Sequence, residues 1–358
     1  MNWGTVLSRE PVDTDVRGAN AWRVRYVTGD LNGVQHESTG LVIAPDAGGN
    51  RPIMTWCHGT TALGDSGCPS AQPDPARELM IYFSPQSSRQ IDYGVPGLQG
   101  FIDDGWVVCA TDYQGLGTEG MHQYMVNPTN ARDALNIAHA ARQLDVGAGT
   151  KLGCIGWSQG GGAAAAMATL DPDDYGDLEL VGTVAMSLGV PSIAMSAPAT
   201  PVDASAPPDS HLVMLLCGLQ AANPSLLKLS DVFTPLGVEI IEAAWNVQPV
   251  HHLTDTIGRL FRLKGAILEA EPTNTRAWAV AVAAASVDLG KKPIAPVLVC
   301  VDSFKGGTVV PVAWQTAYVD AVKAQGGAID VLDYPDDDHS SLPQSCIADA
   351  KEWLTARL

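Results

Sequence analysis

Residues 156–160 read Gly-Trp-Ser-Gln-Gly, preceded by the largely apolar run 151–155 and followed by Gly161, Gly162 and an alanine-rich stretch. A strand that turns sharply into a helix is the setting that G-x-S-x-G requires. Small residues flank the serine because a Cβ at either flank would strike the neighbouring strand or helix. Such a turn lifts the hydroxyl of Ser158 above a sheet edge. It also sets Ser158 at a helix N-terminus, where the amides of Gln159 and its neighbours are free to hold a developing oxyanion.

The rest of the chain supplies a sheet for that turn. Two extended runs, 22–27 and 36–44, are joined by the turn-rich segment 28–33 as an antiparallel hairpin. Short, continuously apolar runs follow at 52–57, 106–111, 151–156, 180–187, 296–301 and 328–333, the pattern of a parallel sheet covered on both faces. Helical stretches fall at 130–144, 159–169, 312–324 and 347–358. The expected fold is therefore α/β, a mostly parallel mixed sheet wrapped by helices. More than a hundred residues between 187 and 296 fit no single crossover. The Pro-, Ala- and Ser-rich part 191–209 reads as a linker, and 212–286 as helices broken at Pro224, Pro235, Pro249 and Pro272. The expected organisation is a core of 1–190 and 291–358 with a helical cap at 191–290, inserted before the strand that carries a catalytic acid. Its residues Leu226, Leu227, Ile240, Ile241, Leu260, Phe261, Leu263, Ile267 and Leu268 suggest an apolar pocket.

A serine hydroxyl is a weak nucleophile and needs a base. Of the eight histidines, His339 follows the last predicted strand in Tyr-Pro-Asp-Asp-Asp-His-Ser-Ser (334–341), on the same sheet edge as Ser158. A third group must hold the imidazole tautomer, and Asp302 ends the strand 296–301 at that edge, in the order Ser, Asp, His. His58 follows the strand 52–57 in His-Gly-Thr-Thr, and its ring reads as structural rather than catalytic. His251-His252 has no acidic or thiol partner at ligand spacing and reads as a polar helix start, and Asp336–Asp338 as a solvated acidic turn, so no metal is expected.

With 39 Asp and Glu against 21 Lys and Arg, the net charge of −18 repels phosphate backbones and argues against a nucleic-acid partner. No apolar stretch approaches the roughly 20 residues of a membrane helix. The N-terminus lacks a basic segment leading into an apolar one, so the sequence as written reads as cytoplasmic, with export open if a signal has been removed. Seven cysteines without a C-x-x-C pair fit neither a zinc site nor a complete disulfide framework. Cys109, Cys154 and Cys300 read as small buried hydrophobes, while Cys68 and Cys346 stand in polar, loop-like surroundings where one disulfide remains open.

These residues together resemble an α/β-hydrolase, in particular the secretory lipase family typified by fungal lipase A and its actinobacterial relatives. The resemblance runs from near Trp22 to the C-terminus through Leu-Val-Ile-Ala-Pro (41–45), Gly-Asp-Ser-Gly-Cys-Pro-Ser (64–70), Asp-Tyr-Gln-Gly-Leu-Gly (112–117), Ala-Arg-Asp-Ala (131–134), the serine turn and Asp-His-Ser-Ser (338–341). It implies Ser158 as nucleophile, His339 as base, and the backbones of Gln159 and Asp112 as oxyanion donors. His58, Gly59, Thr60, Tyr113 and Trp157 are the expected substrate-binding residues. The segment after the 296–301 strand departs from the family pattern, since Lys305 falls where the acid is expected. Either Asp302 has taken that role or another carboxylate, such as Asp336 or Asp337, supplies it. The implied reaction is hydrolysis of a small-molecule carboxylic ester, with a hydrophobic acyl or alcohol part, through an acyl-enzyme and with no cofactor. An acyltransferase, an amidase or peptidase, or a catalytically impaired binding protein are the alternatives on the same scaffold.

Overall fold

The computed structural model describes residues 3–46, 48–80, 93–196 and 206–358. Nine strands form one sheet in the order β1-β2-β3-β5-β4-β6-β7-β8-β9. Strands β1 (Val6–Val12), β2 (Ala19–Gly29) and β3 (Gln35–Pro45) are antiparallel, and β3 meets β5 (Val107–Thr111) antiparallel as well. From β5 onward, β4 (Arg51–Cys57), β6 (Ala148–Trp157), β7 (Glu179–Met186), β8 (Val297–Asp302) and β9 (Ile329–Tyr334) run parallel. All the parallel strands therefore end at one edge of the sheet, which is where α/β folds gather their reactive side chains.

The hairpin turn between β2 and β3 is fixed by Asp30, whose carboxylate accepts from the amides of Asn32 and Val34. The central strands are buried on both faces, as their uninterrupted apolar composition requires. One face packs on α2 (Asn127–Ala141) and α3 (Gln159–Met167), and the other on α1 (Leu98–Asp103) and α10 (Leu342–Thr355). Helix α9 (Val312–Ala324) joins β8 to β9 and spans the residues expected for it.

Between β7 and β8 the chain forms α4 (Pro191–Ser196), α5 (Ser210–Ala222), α6 (Pro235–Ala244), α7 (Val250–Lys264) and α8 (Thr275–Ala285). Three of the predicted proline breaks stand at or just before helix starts: Pro235 opens α6, Pro249 precedes α7 and Pro272 precedes α8. The expected linker at 191–209 is in part wrong. Residues 191–196 are helical, Asp209 caps α5 by accepting from the amides of His211 and Leu212, and 197–205 lie outside the described residues. The apolar residues from which a pocket in this insertion was expected divide between its interior and its surface. Leu227, Ile240, Ile241 and Ile267 are buried in its own core with Phe233, Leu219 and Trp278, while Leu226 and Leu263 face solvent. The buried ones pack on one another and hold the insertion together.

All seven cysteines are free and buried, so neither Cys68 nor Cys346 forms a disulfide. Cys346 lies inside α10, not in a loop. Among the described residues no cluster of His, Cys, Asp and Glu could hold a metal ion, and no helix is long and apolar enough to cross a membrane.

Candidate active site

Ser158 follows β6 directly, with φ 59° and ψ −116°, and α3 begins at the next residue. The turn is possible because its flanks have no side chains. A Cβ on Gly156 would lie 2.0 Å from the Gly160 carbonyl oxygen, and one on Gly160 would lie 1.9 Å from that of Cys57. The turn is pinned on both sides: the Ser158 amide donates to the Met186 carbonyl (2.9 Å), and the Gly189 amide donates to the Ser158 carbonyl (3.0 Å). The half-buried hydroxyl is left to face the sheet edge.

His339 meets it there. Its Nε2 lies 2.9 Å from Ser158 Oγ although 181 residues separate the two. The loop carrying the imidazole is held from three directions. The Trp157 indole donates to the His339 carbonyl (2.9 Å), the His339 amide donates to Thr308 Oγ1 (3.1 Å), and Asp338 accepts from the amides of Ser340 and Ser341. The Trp157 and His339 rings are 5.2 Å apart.

The other ring nitrogen, Nδ1, faces two oxygens. Ser187 Oγ is at 2.8 Å and Asp302 Oδ2 at 3.7 Å. Asp302 is wholly buried at the end of β8, and its Oδ1 accepts from the Gln315 side chain of α9 (2.8 Å). Its Oδ2 has no hydrogen-bond partner among the described residues. Ser158, His339 and Asp302 are thus brought together. Lys305 is exposed, with φ 50°, and its ammonium lies over the Phe304 ring. Asp336 is exposed, and Asp337 accepts from the Ser345 hydroxyl.

Gln159 opens α3, so its amide belongs to the first turn, which has no intrahelical partner. Its side chain is locked: Nε2 donates to His122 Nε2 (2.7 Å) and to Asn130 Oδ1 (3.2 Å). His122 Nδ1 lies 2.9 Å from the Gln114 carbonyl, so it carries the ring proton, and burial pushes this imidazole down to about 3.

Asp112 does not fit the oxyanion role. Its amide donates to the Thr39 carbonyl (2.8 Å), continuing the β3–β5 pairing. Its carboxylate accepts from the Thr39 hydroxyl and from the amide and hydroxyl of Ser70, so it ties the loop after β5 to the 65–71 turns. Tyr113 is likewise fully buried, its hydroxyl donating to the His58 carbonyl, and cannot touch a substrate. His58 is buried with Nδ1 beside the Gly59 carbonyl and Nε2 beside that of Asp112, and burial lowers its pKa. Gly59 packs against the Trp157 ring, where a Cβ would come within 2.9 Å, and only Thr60 of this group is half exposed, its hydroxyl bonded to that of Tyr124 (2.7 Å).

Sequence reasoning missed Ser187, Gln315 and His122. Ser187 follows a strand end at the reactive edge, a signal that position alone could have offered. Gln315 and His122 reach the site only through tertiary packing.

A model of the secretory lipase family matches residues 83–257. Among curated proteins none matches the sequence. Solved structures that match include the rice cell wall degrading esterase LipA from Xanthomonas oryzae, with TM-score 0.75, 17% identity and 100% of both chains covered. Candida antarctica lipase A matches with TM-score 0.74 and 14% identity over 100% of this chain and 83% of the other. A putative hydrolase from Legionella pneumophila matches with TM-score 0.68 and 18% identity, covering 94% of this chain and 88% of that one.

Proposed function

We propose that this chain, an α/β-hydrolase that resembles the secretory lipases, is a carboxylic ester hydrolase acting through an acyl-serine. The observation that carries the reading is the 2.9 Å contact between Ser158 Oγ and His339 Nε2, on loops at one sheet edge. For Ser158 to donate there, the proton of the neutral imidazole must sit on Nδ1, the nitrogen that faces Ser187 and Asp302.

Ser158 attacks the ester carbonyl as Nε2 takes its proton. The oxyanion is met by the Gln159 amide at the start of α3. Because the Asp112 amide is committed to β3, the second donor comes from the backbone after β4, around Gly59 and Thr60, which follow directly on the Cys57 and His58 carbonyls packed against Gly160 of α3. His339 then protonates the leaving alcohol, and water activated by the same imidazole releases the acid. Buried Asp302 stabilises the imidazolium formed in each half-reaction. The described helices between β7 and β8 act as a cap over this edge. Met125, whose side chain approaches Gly189 beside Ser158, gives that surface apolar character and favours a hydrophobic acyl or alcohol part.

The test is a panel of chromogenic esters of short, medium and long acyl chains beside an amide, with fluorophosphonate labelling. Ester turnover and labelling should both vanish in Ser158→Ala. Absence of labelling in the unaltered protein would overturn the reading, and turnover of the amide in preference to every ester would replace it by an amidase.

A further inference from the structure

We propose that Ser187 is a positioning residue that accepts the Nδ1 proton of His339 alongside Asp302, so that a hydroxyl and a carboxylate together hold the imidazole. This rests on the ester-hydrolase reading and deepens it. Three observations carry it.

The hydroxyl is the nearer acceptor, at 2.8 Å against 3.7 Å for Asp302 Oδ2. Both residues are fully buried, so water does not compete for the ring nitrogen from their side. Asp302 Oδ2 has no hydrogen bond among the described residues, and a buried carboxylate oxygen left so asks for a reason. That reason is the imidazolium: Oδ2 is held in reserve for the charge that appears during the reaction, while Ser187 fixes the neutral ring before it.

The backbone points the same way. Ser187 has φ 44°, in the left-handed region where glycine sits more easily than any residue with a Cβ. Its amide is bonded to the Cys300 carbonyl of β8 (3.0 Å), which fixes the side chain between β7 and β8, opposite His339. A side chain maintained at such a position is explained by its hydroxyl.

Ser187→Gly and Ser187→Ala test the idea, with kinetics expressed per site titrated by a fluorophosphonate. Glycine suits this φ, so Ser187→Gly should melt no lower than the unaltered protein. Both variants should nevertheless lose about tenfold in kcat with KM unchanged, a fraction of the roughly 10⁴ lost when the tautomer is no longer held. Two acceptors of one proton back each other up. Asp302→Asn should therefore cost about 10²-fold alone, and the double variant with Ser187→Gly more than the product of the two single losses. The downfield proton resonance of His339 Nδ1–H should move in Ser187→Gly. A kcat within a factor of two of the unaltered value, or single losses that simply multiply, would overturn the proposal. If the unaltered protein labels and turns over esters while this happens, only the role of Ser187 falls. If it does neither, the ester reading falls first.

Discussion

The serine turn draws its precision from side chains that never meet a substrate. The Gln159 amide is the proposed oxyanion donor, and the residue that carries it is clamped through its side chain between His122 and Asn130. His122 can accept from Gln159 only while neutral, and burial keeps it so down to about 3. Replacing His122 by Phe fills similar space but leaves one of the two Gln159 side-chain N–H groups without its acceptor, at a cost of about 1–3 kcal/mol for the unsatisfied donor. The expected outcome is a kcat lowered on the order of tenfold, short of the roughly 10²–10³ lost when an oxyanion donor is removed outright. Steady-state kinetics beside a thermal melt would check this, and a lower melting temperature with unchanged kcat would reduce His122 to a packing residue. Gly160 admits no comparable adjustment, because a Cβ there meets backbone at 1.9 Å.

Among elements, α2 does the most to join the two halves of the sheet. Its Asp133 accepts from the Thr28 hydroxyl of β2 and from the amide of Gln114 after β5, and the Tyr26 hydroxyl donates to its carbonyl. Burial raises the Asp133 carboxyl from 3.8 to about 7. Between those values the unfolded chain is ionised while the native one retains its proton, so this residue's contribution to stability falls as pH rises through that window. His122 runs the other way: its native pKa lies below 6.5, so its contribution is complete above that value and lost as pH falls toward about 3. Subtracting the stability of Asp133→Asn from that of the unaltered protein isolates the first effect. The difference should decline from about pH 4 to about pH 7, and a flat difference would mean that Asp133 is ionised throughout. None of this network could be read from the residues alone, because Thr28, Gln114 and Asp133 are polar residues that a one-dimensional pattern assigns to solvent. The strands β4 to β8, by contrast, were legible from apolar runs that a doubly covered sheet demands. Strand β1 escaped notice because it is exposed, carries Pro11 and sits at the edge, where hydrophobic pattern is weakest. Helix α10 starts at Leu342, five residues before its expected start, with Pro343 in its first turn. The meeting of Ser158 and His339 was legible because an elbow and a strand-following histidine are local patterns. Ser187 stands at an equally legible strand end, but its meaning depends on a ring 152 residues away.

At the scale of the molecule, two apolar layers clothe the sheet and a third core belongs to the helices between β7 and β8. That third core is not self-contained. Leu63, Tyr124 and Val126, from the segments after β4 and β5, are part of it, and the Val250 amide donates to the Thr61 carbonyl (2.8 Å). The insertion therefore rests on the same loops that border Ser158. One close approach is at Gly218 of α5, where a Cβ would lie 2.4 Å from the Tyr124 carbonyl oxygen and 2.6 Å from its amide nitrogen. Backbone cannot yield there as a flexible side chain would, so Gly218→Ala must lift α5 away from the 123–125 segment, at the roughly 1–3 kcal/mol typical of overpacking. Tyr124 holds Thr60, and Met125 lies against Gly189 beside Ser158, so the displacement reaches the side of the proposed site where the ester would bind. The Ser158–His339 contact is supported instead by β6, β7 and Trp157. KM for long-chain esters should therefore rise several-fold in Gly218→Ala while the rate of fluorophosphonate labelling stays close to that of the unaltered protein. Equal losses in both would show that the insertion and the reactive edge respond as one rigid unit.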